Sequence, residues 1–91
     1  IGENGNGQMN ITGGEVNAWS GATTVGRRTG SIGNLSVSNN GVYIQHTNNM
    51  DIANAGTGTL TIAGSGLVEV RNNSLRIGVA TNSLVGGTVN L

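Results

Sequence analysis

The sequence predicts an all-β chain wound as a parallel β-helix or solenoid, with three short strands in each coil of about 25 residues. A glycine-led phrase recurs at residues 7–11, 33–37, 58–62 and 87–91, so that its copies lie 26, 25 and 29 residues apart. Apolar and polar residues alternate within each copy, which is the period of a β-strand. Turns rich in Gly and Asn separate the alternating segments. A repeat of this length indicates units that bury their apolar faces by stacking, here over roughly three and a half coils.

The first strand of each coil follows the glycine of the recurring phrase. Its apolar residues are spaced by two and are expected to point inward: Met9 and Ile11, Leu35 and Val37, Leu60 and Ile62, Val89 and Leu91. The residues between them are polar and are expected to face outward: Asn10, Ser36, Thr61 and Asn90. In a parallel stack each strand pairs with its counterpart one coil away, at about 4.8 Å, so equivalent side chains form ladders along the axis.

The second strand of each coil follows a turn at residues 13–14, 39–41 and 64–66. Alternate apolar residues are expected to point inward: Val16 and Ala18, Val42 and Ile44, Val68 and Val70. This alignment requires one extra residue in the turn of the third unit, where Gly accepts a positive φ. By the same parity Trp19, Tyr43 and Arg71 are predicted to project outward.

The third strand is short, and its last residue begins a second recurring phrase, seen as Val25-Gly26 and Ile77-Gly78. Its inward residues are expected to be Thr23 and Val25, Met50 and Ile52, Leu75 and Ile77. We place the repeats at 1–24, 25–51, 52–76 and 77–91 of a single solenoid segment, 1–91. Residues 79–85 break the pattern and are predicted to form a loop that leaves the coil. Because no capping repeat is recognisable, we expect the segment to belong to a longer array.

Composition and charge exclude several classes of function. The chain has four Arg, no Lys and four acidic residues, so it has no strong positive field and a nucleic-acid partner is not expected. No apolar run approaches the ~20 residues of a membrane helix, which predicts that this chain has no transmembrane segment. The absence of Cys excludes disulfides and thiolate metal sites.

Catalytic chemistry is not predicted, and we assign no catalytic, cofactor-binding or metal-binding residue. Glycan cleavage requires two carboxylates in mutual reach, but the four acids fall on different strands or turns: Glu3, Glu15, Asp51 and Glu69. A single Asp also argues against calcium-binding repeats, which place an Asp in every copy. His46 is the only imidazole, and parity predicts it at the inward end of the second strand, bonded to the turn at residues 47–49.

Three residues are candidates for a surface contact: Trp19, Tyr43 and Arg71. Aromatic faces on a polar sheet can stack on sugar rings or anchor a protein partner, so a host or surface glycan or protein is the expected external partner. The alternative is that the two aromatic residues cover the sheet against a neighbouring loop. The pair Arg27-Arg28 is interpreted as a solvated turn, with a sulfated or acidic glycan as the alternative partner.

The repeats themselves resemble those of a known family. Residues 58–64 and 75–78 resemble the Gly-Thr-Leu-x-Ile-x-Gly and x-Ile-Gly repeats in the passenger regions of bacterial autotransporters and other large surface proteins. The resemblance covers nearly the whole chain, although it identifies a repeat type and includes no signal peptide, membrane barrel or effector domain. It implies a right-handed parallel β-helix outside the outer membrane, at the bacterial cell surface, which acts as a stalk or an adhesive body.

Two alternatives stay open beside a structural and adhesive role. In the first, the chain is a subunit of an extracellular filament or sheath, and its partners are coils of identical chains as well as its own. In the second, it is a β-helix of the glycan-processing or phage-tail type, for which acids clustered on neighbouring coils would be the distinguishing feature.

Overall fold

Three parallel sheets form the walls of a β-solenoid, in a computed structural model that describes residues 1–79 and 86–91 and only the backbone of Asn90. The chain passes from one sheet to the next, and one coil later each residue pairs with an equivalent about 26 positions further along, as Asn6 does with Ile32. The strands are β1 (Asn6–Ile11), β2 (Glu15–Ala18), β3 (Thr23–Val25), β4 (Ile32–Val37), β5 (Val42–Gln45), β6 (Met50–Ile52), β7 (Thr57–Ile62), β8 (Leu67–Val70), β9 (Leu75–Ile77) and β10 (Gly86–Asn90). The predicted all-β, three-stranded coil is confirmed.

Each sheet collects one strand from every coil. The first sheet has the order β1-β4-β7-β10, the second β2-β5-β8 and the third β3-β6-β9, and all pairs are parallel. Residues 1–79 and 86–91 contain no helix that is long and apolar enough to cross a membrane.

The first sheet has the predicted register. Met9, Leu35, Leu60 and Val89 align in one inward column, and Leu35 and Leu60 are fully buried. The inward prediction for Leu91 is wrong, because the pairing of β10 with β7 stops at Asn90 and Leu91 is 95% exposed.

The second sheet differs from the prediction by one residue in its middle strand. Tyr43 pairs with Val16 and Val68, and Gln45 pairs with Ala18 and Val70. Tyr43 and Gln45 are therefore inward and buried, whereas the predicted inward residues, Val42 and Ile44, lie on the outer face by register, where Ile44 is nevertheless only 7% exposed.

Turn length explains this correction. The turn before β2 has three residues, 12–14, whereas the turns before β5 and β8 each have four, 38–41 and 63–66. The short turn is thus in the first coil, and the predicted extra residue is present in both later coils. Because successive side chains of a strand point to opposite faces, a shift of one residue exchanges the inner and outer faces of β5.

The third sheet packs the centre of the core as predicted. Val25, Met50 and Ile52 are fully buried. Leu75 and Ile77 continue the same two columns but are 42% and 53% exposed.

The corner between the third and first sheets explains both recurring phrases. The residues that follow β3, β6 and β9 all have a positive φ: Gly26 (75°), Ala53 (66°) and Gly78 (69°). Gly2 (68°), ahead of β1, has the same backbone conformation. This corner lies against the leading glycines of the first strands. A Cβ on Gly33 would lie 2.4 Å from the Gly26 nitrogen, and one on Gly58 would lie 2.5 Å from the Ala53 nitrogen. The two glycine columns therefore meet backbone to backbone, with no room for a side chain on the first strand.

The predicted repeat boundaries stay predictions. The same holds for the predicted loop at 79–85 beyond its first residue. Residues 80–85 lie outside the described residues. The Val79 amide donates to the Ala53 carbonyl oxygen at 3.0 Å, which continues the hydrogen bonding of the corner into the next coil.

Candidate functional site

The outer face of the second sheet carries the chain's one exposed aromatic residue among the described side chains. Just past the ends of β2, β5 and β8, backbone bonds keep the coils in register: the His46 amide donates to the Ala18 carbonyl oxygen at 2.9 Å, and the Arg71 amide donates to that of Gln45 at 2.8 Å. Three outward side chains consequently stand one above another. We call this column the outer ladder, and it consists of Trp19, His46 and Arg71.

Trp19 and His46 form a ring stack within the outer ladder. Their ring centroids are 3.7 Å apart and the ring planes differ by 10°. The stack holds one face of the indole against the next coil, while Trp19 as a whole is 67% exposed. The prediction that His46 lies at an inward strand end and bonds to the turn is wrong, for the reason that moved Tyr43 into the core.

Hydrogen bonds hold the His46 ring and the Trp19 backbone in place. His46 Nε2 lies 2.7 Å from Asn17 Oδ1, and Asn17 Nδ2 donates to Glu15 Oε1 at 2.8 Å. Since a carbonyl oxygen only accepts, His46 Nε2 carries a proton in this arrangement. The Thr47 hydroxyl also donates to the Trp19 carbonyl oxygen at 2.7 Å, so the backbone of the aromatic residue is tied to the second coil.

Arg71, at the third rung, is paired with an acid on its own strand. Its Nε and Nη2 donate to Glu69 Oε1 and Oε2 at 2.8 Å and 3.2 Å. The hydrogen bonds that Arg71 donates to Glu69 lower the pKa of Glu69 and raise the pKa of Arg71. The guanidinium charge is therefore balanced locally, and both side chains stay partly exposed.

Tyr43, the third candidate contact residue, is not on the surface. It is 5% exposed, and its hydroxyl lies 2.5 Å from Thr23 Oγ1 inside the solenoid. The structure places Trp19 and Arg71 on the predicted face but adds His46 and Asn17, which the sequence reasoning missed. Like Trp19 and Arg71, His46 directly follows the second strand of its coil. This shared position indicates His46 once the turn before β5 is given four residues.

A second polar cluster lies on the outer face of the third sheet. Asp51 is 3% exposed and accepts two bonds from Arg76, at 2.7 Å from Nε and 2.9 Å from Nη2, while Asn54 Nδ2 donates to Asp51 Oδ2 at 3.3 Å. These contacts pin the carboxylate beside an open cleft of about 480 Å³, which Glu3, Thr24 and Arg27 also line. Asp51 and Arg76 thus form a structural ion pair, with Asn54 as a further hydrogen-bond partner of the carboxylate.

The adjacent Arg27-Arg28 pair shares one acid. Arg27 Nη1 lies 2.9 Å from Glu3 Oε1, and Arg28 Nη2 lies 3.5 Å from the same oxygen. Both arginine side chains are more than half exposed, consistent with the interpretation of this segment as a solvated turn.

The four carboxylates all have close polar partners: Glu3 with Arg27, Glu15 with Asn17, Asp51 with Arg76 and Glu69 with Arg71. Within the described ranges no group of three or more His, Cys, Asp and Glu side chains is placed to hold a metal ion. That the protein is not an enzyme and needs no cofactor stays a prediction.

Comparison with known proteins gave no match to a family model, to a curated protein or to a solved structure. The fold alone thus defines the class of this protein, a parallel β-solenoid. Its distinguishing surface feature is the outer ladder on the second sheet.

Proposed function

We propose that this chain is a non-enzymatic segment of an extracellular bacterial surface protein, which acts as a rigid stalk or display body and makes adhesive contacts through its outer strand faces. The observation that supports the proposal is the in-register parallel pairing of all three sheets from coil to coil.

Such pairing favours stiffness, because backbone hydrogen bonds run along the axis in every wall. Two apolar columns in the interior reinforce it: Leu35 stacks on Leu60 in the first sheet, and Val25 stacks on Ile52 in the third. The close backbone contact at the corner between the third and first sheets links neighbouring coils further. A body of this kind keeps surface groups at fixed spacing, as a stalk or display element requires.

The outer faces favour contact with another surface. Along a ladder, equivalent side chains repeat at about 4.8 Å, and along a strand the same face recurs every second residue. One of the polar outward columns of the first sheet contains Gln8, Asn34, Thr59 and Thr88. The second sheet presents the outer ladder.

The location rests on the resemblance of the repeats to those of autotransporter passenger regions and is tested on cells. An antibody raised against the 91 residues is applied to intact and permeabilised cells that produce the protein. We expect labelling of intact cells, and its loss after brief treatment of those cells with an external protease. A cytoplasmic marker protein, which the protease must leave intact, is the control. Labelling that requires permeabilisation would contradict the proposal.

A further inference from the structure

The corner that joins β3 to β4 is two residues longer than the equivalent corner of the next coil. It spans six residues, 26–31, whereas the corner between β6 and β7 spans four, 53–56. We call residues 26–31 the long corner. Described residues flank it on both sides along the axis: the Arg27 amide donates to the Gly2 carbonyl oxygen at 3.0 Å, and the Ala55 amide donates to the Arg27 carbonyl oxygen at 2.8 Å. Its exposure therefore does not depend on where the chain begins or ends.

Hydrogen bonds of Ser31 hold the backbone of the long corner in one conformation. Ser31 is 2% exposed, and its hydroxyl donates to the Arg28 carbonyl oxygen at 2.6 Å and accepts a hydrogen bond from the Arg28 amide at 3.1 Å. The Ser31 amide donates to the same carbonyl oxygen at 2.9 Å. A Cβ on Gly56 would clash with the Ser31 hydroxyl and the Arg28 carbonyl oxygen, so the next coil packs directly against this turn. The backbone that carries Arg28 is thus fixed before any ligand binds, which lowers the entropic cost of binding.

The long corner carries more positive charge than its acidic neighbour balances. Arg27 Nη1 lies 2.9 Å from Glu3 Oε1, but Arg28 Nη2 lies 3.5 Å from the same oxygen, so Arg28 is the more weakly paired of the two. Asp51, which lies on the third sheet, is already bonded to Arg76. Each guanidinium has five N–H donors, and both arginine side chains of the long corner are more than half exposed. One positive charge and several of these donors are therefore available to a ligand.

A cleft of about 520 Å³ opens beside these two arginines. It is lined by Asn4, Arg27, Arg28, Thr29, Asn54 and Ala55, and none of these residues is acidic. The amides of Asn4 and Asn54 and the hydroxyl of Thr29 can bond the hydroxyl groups of a sugar. The volume lies within the range of small-ligand pockets. The cleft thus suits an anionic group that is attached to a polar, uncharged body.

The small excess of charge decides which kind of polyanion fits. Nucleic acids present a phosphate on every nucleotide, and their binding depends on several basic contacts and on aromatic side chains that stack with the bases. The long corner has two arginines and no aromatic residue, since Trp19 directly follows β2 on the second sheet and Tyr43 is buried. An acidic glycan, in which one sulfate or carboxylate is surrounded by hydroxyl groups, fits better.

We propose that the long corner binds the sulfate or carboxylate group of an acidic glycan between the guanidinium groups of Arg27 and Arg28. Charge-assisted hydrogen bonds from Arg28, and from Arg27 beside its bond to Glu3, hold the anion. Thr29 and Asn54 bond the hydroxyl groups of the same sugar. The inference rests on the proposed function, because it names the chemistry of the partner that the adhesive segment contacts.

The first experiment is frontal affinity chromatography of the full chain on immobilised polymers at low NaCl concentration. Dextran sulfate and polygalacturonate supply the two anionic groups, uncharged dextran is the neutral matrix, and double-stranded DNA is the competing polyanion. We expect the chain to bind at least one acidic polysaccharide, which identifies the anion, and neither dextran nor DNA. Because the chain has no net charge at pH 7, binding there does not reflect ion exchange of the whole molecule. Exposed charges are screened by salt, so binding is expected to weaken as the NaCl concentration rises.

Two pairs of variants with matched net charge locate the site. Arg28→Gln and Asn39→Asp each make the chain more negative by one charge, but Asn39 lies in the turn between β4 and β5. We expect Arg28→Gln to weaken binding about 2- to 5-fold, as the loss of an exposed ion pair does, and Asn39→Asp to bind like the parent chain.

The second pair tests for a gain. Glu3→Gln and Glu15→Gln each remove one negative charge, but only Glu3 occupies the arginines of the long corner. We expect Glu3→Gln to strengthen binding about 2- to 5-fold and Glu15→Gln to leave it unchanged. A merely structural role of Glu3 would not produce a gain. Circular dichroism confirms that all four variants keep the β-fold.

Three results would overturn the inference: no binding to either acidic polysaccharide, binding to DNA as strong as binding to the glycans, or equal effects within each pair of variants. Surface labelling of intact cells without binding to acidic polysaccharides would refute this inference and leave the proposed display role intact. Binding by a chain that is labelled only in permeabilised cells would support the anion site and refute the proposed location.

Discussion

Tyr43, Thr23 and Gln45 form a polar group inside an otherwise apolar solenoid. The Thr23 hydroxyl donates to Gln45 Oε1, and Gln45 Nε2 donates to the carbonyl oxygens of Gly21, at 2.7 Å, and Thr47. Tyr43 completes the group through its bond with Thr23. Burial of unpaired polar groups is costly, and no buried side-chain nitrogen or oxygen of the described residues lacks a hydrogen-bond partner. The group therefore makes an inward Tyr and Gln compatible with the core.

The Tyr43 hydroxyl offers a test of this account. Tyr43→Phe keeps the ring and removes one buried hydrogen bond, so we expect the free energy of unfolding to fall by about 1 kcal/mol. Urea denaturation followed by circular dichroism measures the change. Asn34→Ala, at an exposed position on the first sheet, is the control and is expected to change stability by less than about 0.5 kcal/mol. An unchanged or raised stability of Tyr43→Phe would show that the buried hydroxyl does not stabilise the fold.

At the scale of the strands, the sequence predicts the first and third sheets but not the face of β5. In β1, β4 and β7 apolar residues alternate with polar ones, so one face is identified. In β5, Val42, Tyr43 and Ile44 are consecutive and apolar, so both faces can be buried by composition. Turn length decides between them, and a turn of three or four small or polar residues, mostly Gly, Asn and Ser, carries no pattern that fixes its length. The hydrogen bond from Thr23 to Gln45 joins side chains of neighbouring coils, so it cannot be predicted from either segment alone.

The residues of the outer ladder can be predicted from the sequence only where the inner face of their strand is clear. Trp19 and Arg71 were placed outward because β2 and β8 have one clear apolar face. His46 was missed because its direction depends on β5. A stack of two rings from different coils is thus predictable only after the register of the whole sheet is known.

The glycine corner supports a prediction at the scale of the coil. Gly26 and Gly64 both have positive φ, 75° and 58°, but a Cβ on Gly26 would lie 2.1 Å from the Thr57 carbonyl oxygen, whereas one on Gly64 would meet nothing within 4 Å. We expect Gly64→Ala to cost about 1 kcal/mol from backbone strain alone. Gly26→Ala adds a clash with fixed backbone and is expected to cost at least about 3 kcal/mol or to prevent folding.

Thermal and urea denaturation of the two glycine variants, followed by circular dichroism, compares these costs. Because backbone strain is common to both, the difference between them measures the close approach at the corner. Equal losses of stability would mean that the corner can open by a few tenths of an ångström without cost, and that the recurring glycines reflect backbone conformation alone.

At the scale of the whole molecule, burial is concentrated in the middle of the solenoid. The largest fully buried side chains of the described residues all lie between Val25 and Leu60, whereas Leu75 and Ile77, the inward residues of β9, are 42% and 53% exposed. In a solenoid each coil contacts only its neighbours, so local stability follows the number of packed interfaces that a coil has. The strands β4, β5 and β6 have a paired strand on both sides.

Hydrogen exchange of the native chain tests this gradient. We expect the amides of β4, β5 and β6 to exchange at least about 10-fold more slowly than those of β2, β8 and β9, because opening an outer coil breaks one interface and opening the middle coil breaks two. Mass spectrometry of peptides from each coil measures the rates. Gly64→Ala, whose turn joins β7 to β8, is expected to speed exchange in β8 more than in β5. Uniform protection across all coils would instead show that the solenoid opens as a single cooperative unit, in which the stability of any coil is that of the whole array.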